Sequence, residues 1–78
     1  PEVVVPAPEE RLERPGRVNF VRARLELSPA GGYRVGELLP EGSGILRSMH
    51  VANALLRYEG TEREGAPVRA ILLRAVRP

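Results

Sequence analysis

The sequence predicts a mainly β fold: a small β-barrel-like domain of four to five strands with one short helix. Three observations carry this. Val18 to Leu27 alternates, with Val21, Ala23, Leu25 and Leu27 on one face and Arg22, Arg24 and Glu26 on the other, the period of a half-buried strand. Ser28-Pro29-Ala30-Gly31-Gly32 then gives a dense turn signal, so Tyr33 to Leu39 reads as the returning strand of a hairpin. Finally, Ile45, Met49 and Ala52 recur at helical spacing with Leu46 beside them, which predicts one short helix from Gly44 to Asn53.

The remaining elements follow in order. Val3-Val4-Val5 is a short apolar run between prolines, and proline cannot donate to a ladder, so the run suits an edge strand. Residues 1–15 read as a linker or incoming strand from upstream domains, and residues 16–78 as the β-barrel-like domain. The chain begins at Pro1 without an initiator methionine, so a fragment or processed product is expected. Pro40-Glu41-Gly42 breaks the sheet ahead of the helix, where Ser43 occupies the natural N-cap position. Leu55 to Tyr58 is a further strand closed by Glu59-Gly60-Thr61, Gly65-Ala66-Pro67 turns the chain, and Val68 to Val76 supplies the last strand. The expected core is Val21, Ala23, Leu25, Leu27, Val35, Leu38, Ile45, Leu46, Met49, Leu55, Val68, Ala70 and Leu72. Each large aliphatic, fully buried, contributes roughly 1.5–3 kcal/mol before entropy is subtracted.

Composition narrows the function classes. A chain of 78 residues buries only roughly 60% of its unfolded surface, so its margin of stability is thin. It has no cysteine, hence no disulfide or thiolate metal site. There is no apolar run of about 18 residues to cross a membrane, and no basic-then-apolar leader pattern. A cytoplasmic setting is expected. All twelve basic residues are arginine and all ten acidic residues are glutamate, for a net charge of +2. Because the arginines are scattered among glutamates, a nucleic-acid stripe is not indicated.

No catalytic constellation is visible. His50 has neither cysteine nor a second histidine for metal ligation. Ser43 lacks a base in any triad pattern, and Gly42-Ser43-Gly44 alone is a weak phosphate signature. The glutamates read as counterions of the arginines. Two features exceed what a plain fold needs. Ser43 between Gly42 and Gly44 opens a helix whose first-turn amides could face an anion, with glycines permitting close approach. In Gly16-Arg17-Val18-Asn19-Phe20-Val21-Arg22, Arg22 sits mid-strand among apolar neighbours, reading either as a surface arginine or as a donor aimed at an oxyanion.

Taken together these residues resemble the C-terminal domain (domain IV) of molybdopterin molybdenumtransferase, whose eukaryotic relative is the E domain of gephyrin. Gly16-Arg17 followed by Phe20 and Arg22 is similar to the family's Gly-Arg-x-x-Phe-x-Arg strand. Gly42-Ser43-Gly44 leading to Ser48-Met49-x-x-Ala52-Asn53 is similar to its Gly-Ser-x-x-x-x-Ser-hydrophobic-x-x-Ala-Asn-Gly segment. Leu55-Leu56, Gly65 and Val68-x-x-Ile71-Leu72-Leu73 follow its closing pair of strands. The resemblance covers Pro15 to Leu73, with Ala54 standing where the family usually has glycine.

The resemblance implies one domain of a homodimeric enzyme that inserts molybdate into adenylylated molybdopterin with Mg²⁺ and release of AMP. The active site is implied to lie between domains of two subunits. On that reading Arg22, Ser43 and Gly44 bind the molybdate or molybdopterin oxyanion, with Arg17, Gly42 and Ser48 in support. Catalytic acid/base groups and metal ligands are expected upstream, so this domain alone is expected to bind no cofactor and to be inactive. No nucleic acid and no membrane is expected as partner. The alternative is a peptide- or protein-binding barrel module without catalysis, binding by β-addition at an edge strand. An RNA-binding barrel is a weaker reading, since Phe20, Tyr33 and Tyr58 are the only stacking platforms.

Overall fold

The computed structural model describes residues 1–9, 19–39 and 44–77. Its elements are β1 (Glu2–Pro6), β2 (Asn19–Leu27), β3 (Tyr33–Leu39), α1 (Ile45–Val51), β4 (Ala54–Tyr58) and β5 (Pro67–Leu72). The strands form one antiparallel sheet in the order β1-β5-β4-β2-β3. The sheet curls into a half-barrel that brings its two edge strands, β1 and β3, towards each other. The Val3-Val4-Val5 run is thus an edge strand, paired to β5 with Val4 opposite Arg69.

The β2–β3 hairpin closes where the turn signal places it. The Ser28 N–H donates to the Gly32 carbonyl at 2.9 Å and the Gly31 N–H to the Ser28 carbonyl at 3.0 Å. The register slips by one between Arg24, opposite Glu37, and Leu25, opposite Val35, leaving Gly36 as the extra residue of a β-bulge. A Cβ on Gly36 would lie 2.6–2.8 Å from the Arg24 guanidinium, so glycine here seats that group flat on the strand.

Because β3 is an edge and β4 lies on the far side of β2, the chain must cross β2 between them. Helix α1 makes that crossing, and the Asn53 N–H donates to the Ala23 carbonyl at 3.0 Å as β4 begins. This close approach shifts the buried helix face, keeping the expected Ala52 but not Leu46 or Met49. Ser48 and Ala52, small and four residues apart, are buried, whereas Leu46 and Met49 are 81% and 58% exposed. Small side chains are what a helix pressed against strand backbone can accommodate.

The core lies inside the curl and is built on Val5, Val21, Leu25, Leu38, Leu56, Tyr58 and Val68, interleaved with Ala7, Ala23, Ala54 and Ala70. Leu27, Leu46 and Met49 are not part of it, and Val35 and Leu72 pack at its margin. Leu27 ends β2 beside the turn and is exposed. Val5, Leu56 and Tyr58 join it instead. Strand alternation assigns Leu56 and Tyr58 inward and leaves Leu55 half-buried on the outer face. Tyr58 is accommodated because its hydroxyl reaches the Pro8 carbonyl at 3.4 Å. The last strand stops at Leu72, not Val76, because the Leu73 and Arg74 N–H groups turn to the Asn53 carbonyl.

Candidate functional site

Arg22 stands on the outer face of the half-barrel. Its cross-strand row runs through Leu55 of β4 and Ile71 of β5 to Glu2 of β1. The side chain is exposed. Its surroundings set it apart from most outer-face arginines. Arg24 meets Glu26 at 3.1 Å, Arg34 meets Glu26 at 2.7 Å, Arg47 meets Glu37 at 2.8 Å and Arg69 meets Glu2 at 3.5 Å. Arg22 has no ion pair or hydrogen bond among the described residues. Its guanidinium fork is open to an external oxyanion.

Helix α1 begins with Gly44 at the N-cap, at φ 90° and ψ 113°. That left-handed backbone explains the glycine. A Cβ there would meet nothing within 4 Å, so conformation and not space makes the requirement. Ser43, expected at the cap, lies outside the described residues with Arg17 and Gly42. Ser48 is 4% exposed; its N–H donates to the Gly44 carbonyl at 2.9 Å, and its Oγ has no partner among the described residues. Arg22 and Gly44 are therefore open to solvent, while Ser48 faces inward.

Asn53 carries a role that spacing alone did not reveal. Beyond Ala23, opposite Ala54, β2 has no further partner on the β4 side. The Asn53 side chain fills that place: its Oδ1 accepts from the Leu25 N–H at 2.7 Å and its Nδ2 donates to the Leu25 carbonyl at 2.9 Å. One amide thus imitates the next rung of the ladder. The signal for it was a lone asparagine between apolar residues directly after a helix, where a buried amide needs partners. Ala54 then enters β4 with ordinary backbone, since no described residue other than glycine has positive φ.

Two carboxylates are held below their ordinary range. Glu26 is lowered first by its hydrogen bond from Arg24, then by that from Arg34. At Glu62 partial burial pulls upward, but backbone N–H groups of Glu59, Glu62, Gly60 and Thr61 together outweigh it. The Gly60 N–H donates to it at 2.8 Å and the Glu59 N–H at 2.9 Å, tying down the turn after β4.

Among the described residues no cluster of three or more His, Cys, Asp or Glu side chains could hold a metal ion. No described helix is long and apolar enough to cross a membrane.

The architecture is that of a β-barrel-like module, an antiparallel half-barrel with one crossover helix and an arginine-bearing outer face. A family model described as the MoeA C-terminal region (domain IV) matches residues 4–73, nearly the whole chain, and the chain belongs to that family. Membership ties it to a molybdopterin-related enzyme family and to molybdenum cofactor biosynthesis. No curated protein and no solved structure matches it.

Proposed function

We propose that this chain forms one wall of a composite active site in a homodimeric, cytoplasmic molybdopterin molybdenumtransferase. Upstream domains of the same protein supply the chemistry that inserts molybdate into adenylylated molybdopterin, together with the Mg²⁺ ligands. This domain holds the oxyanion. Arg22 presents a positive fork, and Ser43 and the Gly44 amide donate hydrogen bonds to molybdate or to the pterin phosphate, with Arg17, Gly42 and Ser48 in support. Such groups act by positioning and by stabilising charge, without proton transfer.

The observation that carries this reading, beside family membership, is the exposed Arg22 without a glutamate partner among the described residues, a state it shares on the strands with Arg57 but not with Arg24, Arg34 or Arg69. The test compares turnover by the complete enzyme with turnover by this domain alone. The domain alone is expected to be inert; measurable molybdate insertion by it overturns the composite site.

A second reading, a protein-binding barrel, draws on the exposed Leu46 and Met49 of α1. If Leu46→Glu with Met49→Glu blocks assembly with a partner while Arg22→Ala leaves turnover intact, that reading takes over.

A further inference from the structure

An arginine-lined cleft lies where β2 outruns β4. The Asn53 amide covers Leu25 there, and the tail after β5 hangs from the Asn53 carbonyl by the Leu73 N–H at 2.8 Å and the Arg74 N–H at 3.4 Å. Between strand, helix end and tail is an open cleft of about 310 Å³ whose lining includes Arg24, Glu26, Val51, Asn53, Arg74 and Arg77. Three arginines and one glutamate line it, and that glutamate is already met twice. Glu26 takes Arg24 at 3.1 Å and also Arg34, which does not line the cleft, at 2.7 Å.

Two of the three forks are held in place. Arg24 lies flat over Gly36, between Glu26 and, at 3.9 Å, Glu37. Arg74 donates through Nη2 to the Met49 carbonyl at 3.1 Å, leaving its remaining N–H groups uncommitted to the helix end. Arg77 is exposed and has no ion pair among the described residues. Pre-placed forks bind a tetrahedral oxyanion with little ordering cost, since charge-assisted N–H···O⁻ bonds can form in pairs. The volume is at the small end for ligand sites, about right for a phosphate group and a few attached atoms against the apolar Val51 wall.

We propose that this cleft binds a phosphate group, carried either by inorganic pyrophosphate or by a phosphomonoester. The cleft lies further along the same outer face of β2 as Arg22, which does not line it, and the proposal does not depend on the function proposed above. It is tested by calorimetric titration of the protein with inorganic pyrophosphate and, in parallel, with glycerol phosphate, at matched ionic strength. Arg77→Ala is expected to weaken binding at least tenfold, because Arg77 is exposed and its loss leaves the fold intact. Arg63→Ala, an equal charge change on an exposed turn residue, is expected to change it less than twofold. Glycerol phosphate binding as tightly as pyrophosphate despite its lower charge identifies an esterified phosphate as the ligand, and saturable binding of pyrophosphate alone identifies a free polyanion. Absence of saturable binding by either probe overturns the proposal. So does equal weakening by Arg63→Ala, or loss in Arg22→Ala with Arg77→Ala unaffected.

Discussion

Replacing Asn53 with alanine should be among the most damaging single changes in this domain, and the reason is local. The side chain satisfies both the N–H and the carbonyl of Leu25, at 2.7 and 2.9 Å, in a buried setting. Alanine leaves both groups without partners at a strand position that β4 does not reach. Each lost bond contributes about 1 kcal/mol, and stranding a buried polar group costs about 1–3 kcal/mol, so about 2–4 kcal/mol in total is reasonable after partial rehydration. A domain of this size has a total stability of only about 4–12 kcal/mol. At roughly 4–8 °C per kcal/mol, Tm should fall by about 10 °C or more. The assay is thermal and urea unfolding followed by circular dichroism, on parent and variant at the same concentration. A Tm within about 3 °C of the parent, under about 1 kcal/mol by the same scaling, would refute the view that this amide completes the ladder.

Further outcomes follow from the same geometry. Gly44→Ala should cost about 1–2 kcal/mol despite open space around the site, because φ 90° is left-handed backbone; unchanged urea unfolding would contradict this. Gly36→Ala should cost less than about 1 kcal/mol, since the Arg24 guanidinium can swing away from the new methyl and only exposed ion pairs are lost; a loss above about 2 kcal/mol would show that the bulge itself needs glycine. Glu26 and Glu62 titrate below the ordinary value of 4.5 in the folded state, so their stabilisation is present above that pH and lost as pH falls through the folded values. Urea midpoints should therefore be lowered below pH 4.5, and Glu26→Gln should flatten that acid limb; an unchanged limb would assign the loss to other groups.

How much was legible in the sequence depended on whether a signal was periodic or pairwise. The alternation of Val21 to Glu26 fixed which face of β2 is buried, and the Ser28 to Gly32 turn set the hairpin, because period-two burial and turn chemistry are local properties. The helix failed in detail: Met49 was expected on a core face with Ala52, yet Met49 is exposed and the buried positions are Ser48 and Ala52, while the Ile45 side chain lies outside the described residues. Spacing cannot show how near a crossing helix comes to the strand beneath, and the Asn53 N–H bond to Ala23 sets that distance. The Asn53 side chain was hidden for a similar reason, since its partner lies 28 residues away. Gly36 was readable in principle, as an isolated glycine inside a strand marks a bulge or a close approach. At the site, the outward position of Arg22 followed from alternation. Its lack of a glutamate partner did not, because which arginine meets which glutamate across strands is decided by register.

The most direct measurement is molybdate insertion by the complete enzyme carrying Arg22→Ala, with Tm recorded on the same preparations and Arg22→Lys beside it. An exposed arginine with no partner among the described residues contributes little to folding, so Tm should move by less than about 3 °C. Turnover should fall by about a hundredfold, as when one oxyanion donor is removed. Arg22→Lys should recover part of it. Activity and stability falling together, or turnover left intact, would contradict the assignment of Arg22 to the oxyanion.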